Sequence, residues 1–390
     1  MTEVLRIRGF GKAGINTDLP IYDLPPESLS RGKNFRCSDA AVSAFGGFTR
    51  FKNAEDLPGT IVDPWHVHFV DGDPDRWIIA GSQNIGVLDV GSWGWNISGS
   101  FSVPPWLWTA TNLGRVPVLN NESYYPITVL PGETDAQVIQ WDGLETWEDR
   151  NIHAKSIRSY KSFLIAMNIT DGVQVQPDVV MWSDSADTGT LPGSWNYADP
   201  ATLAGKNVLG GSEGDIIDGL PLRDSFIIYR KRGITTMDFA GGTDWVFNFR
   251  SFTNSIDIVG LNCIKEIKGV HFIMTADDIV VNDGNSINSI LHNRMRKYFQ
   301  SHINNERLNR CFIARDDDNK EIWFCYPEVG SDVSTQALLW NWRDNTWAVR
   351  DFPGVTHMDY GYAPPIGESW VDDDKPWGEE TQTWGNAGTS

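Results

Sequence analysis

The sequence is poor in the features that announce chemistry. Its four cysteines, Cys37, Cys263, Cys311 and Cys325, show no CxxC spacing, so neither a zinc site nor a redox pair is written into the chain. Each falls in or beside a predicted strand, which makes them buried, reduced thiols. The one Gly-x-Ser-x-Gly, Gly210-Gly211-Ser212-Glu213-Gly214, leads into the predicted strand at Ile216 and opens no helix, so the strand-to-helix nucleophile elbow of the α/β-hydrolases is missing. Gly9, Gly11 and Gly14 follow no predicted strand, are followed by no Gly-Lys-Ser/Thr and open no helix, which excludes a phosphate loop. Long helical periodicity is almost absent. The N-terminus MTEVLRIRGFGKAG lacks the apolar stretch of a signal peptide. No run approaches the length of a transmembrane helix. These absences predict a chain folded in a reducing cytoplasm, without membrane insertion.

Basic charge is also short. Lys and Arg number 32 against 51 Asp and Glu, a formal net charge of −19. Such a surface repels phosphate backbones, so tight nucleic-acid binding is disfavoured. Solubility is the plainer meaning of the acidity. A local basic cluster falls at residues 293–310, in Arg294, Arg296, Lys297, Arg307 and Arg310. That segment breaks the strand pattern and reads as one or two turns of helix or as a long connection.

What is present is aromatic and turn-rich. The 390 residues include 18 Trp, 37 Gly and 20 Pro, with 41% hydrophobic residues. Residues 337–352 read ALLWNWRDNTWAVRDF: an apolar run ending at Trp340, a polar turn at Arg343-Asp344-Asn345, then Trp347 and alternation through Val349. This is a hairpin. The cadence recurs from Val87 to Trp93 and Trp95, from Val138 through Trp141 to Trp147, from Val179 through Trp182 to Trp195, from Ile234 to Trp245, and from Ile279 to Ile287. The residues taken to close the third strand of each unit, Asp89, Trp141, Trp182, Asp238, Asn282 and Trp340, step by roughly 40–60 residues, the period of propeller blades. The clearest unit, Ile216 to Phe249, holds four short strands with a turn signal between each pair.

The expected fold is therefore all-β: a β-propeller of about six four-stranded blades with an N-terminal extended segment. A pair of stacked sandwiches is the competing layout. The expected divisions are 1–63, an extended segment ending in a hairpin near Asn34 to Phe48; 64–353, the propeller; and 354–390, an acidic segment. In that last segment Trp370, Trp377 and Trp384 recur every seven residues, as material that packs back on the propeller or awaits a partner.

Candidate sites are few. His66 and His68 alternate along a predicted strand and share one face, but no third ligand is set by spacing. The other histidines, His153, His271, His292, His302 and His357, show no pattern. Asp316-Asp317-Asp318-Asn319 imitates the opening of a calcium loop but lacks its Gly and closing Glu, and is expected as a solvated turn. Ser183 to Gly189 loosely resembles the Asp-box turn of sialidases, with a stretched spacing to Trp195. With 51 acids, carboxylate pairs for glycoside hydrolysis can be drawn anywhere and carry no signal. No catalytic, cofactor or metal residues are assigned, and no cofactor is expected.

Two stretches do resemble a known family. One is Gly14-Ile15-Asn16-x-Asp18 with Leu24-Pro25-Pro26, Asn34-Phe35-Arg36 and Gly46-Gly47. The other joins Ile303-Asn304, Ile313-Ala314-Arg315-Asp316, Glu321-Ile322-Trp323-Phe324-x-Tyr326-Pro327, Leu339-Trp340-Asn341-Trp342, Asn345-x-Trp347 and Asp351-Phe352-Pro353. Together they resemble the tail nozzle proteins of short-tailed bacteriophages, also called tail tubular protein B-like or tail stabilisation proteins. The resemblance spans most of the chain as a pattern of hairpins, without a catalytic signature, and family members are often longer. It implies a virion structural protein with no enzymatic activity, assembled in the host cytoplasm. It implies a homo-hexameric ring below the portal and adaptor proteins, with tail fibre or tip proteins around it, and genomic DNA retained in and ejected through the lumen without specific binding. The alternative is a carbohydrate-binding or glycoside-hydrolysing propeller that uses exposed Trp and acids.

Overall fold

The fold is set by strands that bury both faces. In the computed structural model, which describes residues 9, 11–48, 60–90, 95–133, 135–242, 245–252 and 256–362, six four-stranded antiparallel sheets form a ring, a β-propeller. A short hairpin, β1 (Phe35–Ser38) and β2 (Ala41–Ala44), comes first. The first blade is β3 (His66–Val70), β4 (Arg76–Ala80), β5 (Ile85–Asp89) and β6 (Trp95–Ser98). The second is β7 (Trp108–Leu113), β8 (Val116–Asn121), β9 (Ile127–Thr128) and β10 (Gln137–Val138). A small hairpin, β11 (Gln140–Asp142) and β12 (Glu145–Thr146), and helix α1 (Trp147–Arg150) follow. The third blade is β13 (Ile152–Tyr160), β14 (Phe163–Asp171), β15 (Gln174–Trp182) and β16 (Gly205–Val208); the fourth is β17 (Ile216–Leu222), β18 (Ser225–Arg230), β19 (Gly233–Phe239) and β20 (Phe247–Phe252). The fifth is β21 (Ile264–Ile267), β22 (Val270–Met274), β23 (Ile279–Asn282) and β24 (Ile287–Ser289). Helix α2 (Arg296–His302) leads to the sixth: β25 (Phe312–Asp316), β26 (Glu321–Tyr326), β27 (Ser334–Asn341) and β28 (Thr346–Val355).

Each blade packs its faces against its two neighbours, so the second strands read as continuous apolar runs: Glu-Ile-Trp-Phe-Cys-Tyr in β26 is buried at every position. The first strands of successive blades touch one another and line the axis. Four of the expected units, beginning at His66, Ile216, Ile256 and Arg310, coincide with blades. The second unit differs. Its third and fourth strands are β9 and β10, and not the segments ending at Trp141 and Trp147. Those two indoles join Trp195 in an edge-to-face trio, with centroids 5.4 Å and 4.9 Å apart. All three are almost fully buried and weld β11, β12 and α1 to the third blade. The fourth strand of the third blade is accordingly β16, and not the segment at Trp195. The physical reason is that Asp142-Gly143 makes the same tight turn as a blade hairpin, so the local cadence of a satellite hairpin and of a blade is identical.

Residues 293–310 contain α2. Their basic groups are mostly neutralised locally: Arg296 meets Asp277 at 3.0 Å, and Arg307 and Arg310 meet Asp332 at 2.6 Å and 3.2 Å. The N-terminus of α2 is capped from far along the chain. Asp18 accepts hydrogen bonds from the backbone N–H of Arg296 and of Lys297, both at 3.0 Å. The same N-terminal arm runs along β28, where the Ile15 N–H donates to Trp347 O at 2.9 Å and the Asn34 N–H to Val349 O at 2.7 Å. Arg36 closes the joint with two hydrogen bonds to the buried Glu321 carboxylate, 2.7 Å and 3.1 Å. The first and last parts of the sequence pattern therefore meet on the sixth blade. The segment with Trp370, Trp377 and Trp384 lies outside the described residues.

The Asp18 cap makes a measurable contribution. Asp18→Ala leaves two helix N–H groups without their acceptor, and is expected to cost about 1–2 kcal/mol. Urea denaturation, with proteolytic susceptibility of the N-terminal arm as a second readout, checks it; an unchanged midpoint contradicts the cap.

Candidate functional site: the propeller axis

The axis is where propellers commonly keep an open channel, and here it is filled by side chains and by residues 356–362. Its central element is Arg158, on the first strand of the third blade. Arg158 donates from Nε to Asp218 Oδ1 at 2.9 Å and from Nη2 to Asp218 Oδ2 at 2.5 Å, a bidentate pair with both residues buried. Nη1 reaches Ala110 O on β7 at 2.9 Å, and Nη2 also reaches Asn262 Oδ1 at 3.1 Å. Asn262, in the left-handed region at φ 60°, returns Nδ2 to Trp108 O at 2.9 Å and its own N–H to Asp218 Oδ2 at 3.3 Å. One guanidinium thus addresses the second, fourth and fifth blades from the third. Fork geometry of this kind suits arginine and not lysine.

A second layer is built by the end of the described chain. After β28 the segment 356–362 turns inward and runs along the axis beside β3. His357 Nδ1 donates to Val67 O at 3.0 Å, Asp359 Oδ2 accepts from the Phe69 N–H at 3.0 Å, and Tyr362 O accepts from Trp77 Nε1 at 3.0 Å. Asp359 also faces His68 Nδ1 at 3.3 Å and Lys265 Nζ, on the fifth blade, at 3.7 Å. The other His68 nitrogen, Nε2, lies 2.8 Å from Asn112 Oδ1 on the second blade. Burial pushes the Asp359 carboxyl up, but the His68 hydrogen bond and the Lys265 charge outweigh it and hold it well below the usual carboxylate range. Gly361 lies so close to the Phe69 ring that a Cβ there would sit 2.2 Å from a ring carbon; only glycine lets the segment pass.

His66 and His68 do share the axial face, as their spacing predicts. Their rings have other partners: His66 lies against the His357 ring, centroids 3.9 Å apart and tilted by 32°, and His68 meets Asn112 and Asp359. Among the described residues no three His, Cys, Asp or Glu side chains are grouped to hold a metal ion. Asp316 to Asn319 is a closed turn in which Asp316 accepts from the Asn319 N–H at 3.0 Å and from its Nδ2 at 2.8 Å. The segment from Ser183 is likewise structural: Ser183 Oγ accepts the Leu164 N–H, and Asp184 Oδ1 accepts the N–H of Leu203. All four cysteines are free and buried; burial pushes the Cys37 thiol up to about 11.

Arg158, Asp218, Asn262 and Asp359 belong to no motif and were not anticipated. A signal existed for two of them. Asp218 is the lone charge in the run Ile216-Ile217-Asp218-Gly219-Leu220, and Arg158 stands between Ile157 and Tyr160 in a strand that also holds Lys155, each in the opening strand of its unit. A charge at such a position must be paired or functional.

Away from the axis, a cleft of about 490 Å³ opens between the fourth and fifth blades. Arg223, Asp224, Arg250, Asp283 and Asn285 border it, with Phe252 in its wall.

No protein-family model matches the chain, and no curated protein matches it.

The buried pair sets a clear expectation. Asp218→Ala strands a buried guanidinium and should destabilise the propeller by about 3–5 kcal/mol. The double change Arg158→Met, Asp218→Leu should recover most of that loss. Chemical denaturation of the three proteins checks it; a single variant as stable as wild type contradicts the network.

Proposed function

We propose that this chain is a structural virion protein: a tail nozzle subunit that forms a homo-hexameric ring below the portal and adaptor, through which genomic DNA is retained and ejected. The proposal rests on the resemblance given above, and the observation that carries it beyond sequence is the filled axis. A propeller whose centre is occupied by Arg158, Asp218, His68 and its own residues 356–362 works with its outer faces. Its chemistry is that of a scaffold block and not of a catalyst. The DNA path of such a protein lies between copies of the chain, since the axis of one propeller is closed. The joint of Asp18, α2 and β28 supports the same reading, because it unites the two stretches that carry the resemblance into one surface. Net charge suits the role: a surface carrying −19 keeps a duplex sliding by repelling its phosphates.

In this reading the partners are further copies of the chain, the adaptor and portal above and fibre or tip proteins around the ring. The location is the virion tail, and no catalytic step occurs. A second reading is favoured by one observation, the cleft between the fourth and fifth blades. Its volume lies in the range of small-ligand sites, and its mixture of guanidinium, carboxylate and amide groups with an aromatic wall is the composition that holds saccharides. A carbohydrate-binding or glycoside-hydrolysing propeller would use it.

Light scattering and electron microscopy of the protein alone, and with an adaptor ring, test the first reading. A six-fold ring with a central channel is the expected result. A chain that stays monomeric and ignores the adaptor overturns it. A glycan array with a hydrolysis assay runs beside it, and binding abolished by Arg223→Ala would carry the second reading instead.

A further inference from the structure

We propose that the axial segment 356–362 is a proton-operated latch. Protonation of the His66–His357 pair loosens it from the axis, while the six blades stay folded.

The contact at the heart of the latch is a pair of imidazoles. The His66 and His357 rings lie 3.9 Å apart, inclined by 32°, and the other side of His357 meets the Phe312 ring at 5.3 Å. His357 is thus wedged in the seam between the first and sixth blades. The void against both rings measures about 10 Å³, room for no more than one water. An imidazolium formed there gains almost no hydration.

The charges around the pair are mixed: Asp359 favours an imidazolium on either ring, and several cations oppose it. β3 contributes His68, β13 contributes Arg158, β21 contributes Lys265, and the approach to β25 contributes Arg310, which lines the same void. Two carboxylates lie near, and both are engaged. Asp218 is bound bidentate by Arg158, and Asp359 is shared between His68 and Lys265. Arg310 has its own carboxylate in Asp332. A new positive charge on either ring therefore meets cations on several sides.

The segment is also held lightly. It enters no β-ladder. Its polar attachments are His357 to Val67, Asp359 to Phe69, His68 and Lys265, Tyr360 to Asp318, and Tyr362 to Trp77. A blade strand such as β18 is hydrogen-bonded on both edges. Local opening of the segment at free energies below global unfolding follows from that difference.

The direction of the response is set by burial. Burial holds the His357 imidazole down at about 4, and burial with the neighbouring histidines holds His66 well below its ordinary value. Released into water, an imidazole returns to about 6.5. Between those values the released form binds more protons than the attached form. Attachment is therefore complete above the released value and declines as pH falls toward the attached one. Asp359, held low by His68 and Lys265, stays ionised across that window. At pH 5 one imidazole shifts the release equilibrium about 30-fold.

Hydrogen–deuterium exchange of the full chain at pH 7.5, 6 and 5, corrected for the intrinsic exchange rate, tests this. Protection of peptides covering 356–362 is expected to fall about 30-fold or more by pH 5, while β18 and β22 keep theirs. His357→Asn retains a donor for Val67 O but cannot titrate, and should reduce the pH slope to half or less. Constant protection of the segment overturns the proposal. So does loss in step with β18 and β22, which would report acid unfolding through groups such as His271, also buried and held down at about 4. An undiminished slope in His357→Asn overturns the histidine assignment. The wild-type comparison of segment and blades decides the matter even where the variant fails to fold.

Discussion

The bidentate pair of Arg158 and Asp218 is the interaction on which the ring depends. A propeller must bring its first strands together at an axis, and the small radius there leaves each strand edge facing other strand edges across a narrow gap. Water in that gap would satisfy the edges but leave the blades independent. Here one guanidinium and one carboxylate replace it. Arg158 occupies its donors on Asp218, Ala110 and Asn262, and Asp218 also accepts from Gly219 and Asn262. A buried ion pair gains little over an apolar one of equal volume. Its value lies in position: hydrogen bonds that span four blades specify how the blades are arranged around the axis, which apolar packing between flat sheets leaves loosely defined.

Closure of the ring follows a related logic. Each of the six blades is built from consecutive strands, so among the described residues no blade borrows a strand from the other end of the chain to tie the circle. The sixth blade is instead braced by segments from both ends of the described chain. The N-terminal arm lies along β28 and caps α2 through Asp18. Residues 356–362 insert between β3 and β25 and reach Lys265 on the fifth blade. Both ties combine backbone and side-chain hydrogen bonds, with little ladder pairing. They complete the ring at lower energetic cost than a shared strand, and they open more readily.

Sequence periodicity carried the fold well for a physical reason. Second strands such as β18, β22 and β26 are buried on both faces, so their apolar runs are continuous and stand out against polar turns. The fourth blade was legible strand by strand, because its turns at Arg223-Asp224 and Lys231-Arg232 are the shortest the geometry permits. Legibility failed at Trp141, Trp147 and Trp195. A hairpin signal is local, and nothing local separates a hairpin inside a blade from one that packs on its outside. It failed again at the axis, because Asp359 acquires its role from His68 and Lys265, which are remote in the chain, and Asn262 from Arg158 and Trp108. Residue type and spacing cannot announce a partner that only closure of a ring brings near. Asp18 is the instructive intermediate: the motif containing it was visible, but its work as the cap of α2 was not.

The filled axis also decides where the protein's charge acts. Arg158 cancels Asp218, and Lys265 with His68 answers Asp359, so the centre carries no net negative charge. The formal −19 therefore belongs to the periphery and to residues 363–390, where Glu368, Asp372, Asp373, Asp374, Glu379 and Glu380 stand against Lys375 alone. Fields from exposed charges decay within about 8–10 Å at physiological salt. Acidic charge on the outer faces thus acts on what touches or nearly touches them. It turns away polyanions and other equally acidic surfaces, its own copies included, unless specific contacts outweigh the repulsion. Any assembly of this chain with itself must therefore be held by contacts such as hydrophobic burial or fork-shaped ion pairs, and must loosen in low salt, where repulsion reaches furthest.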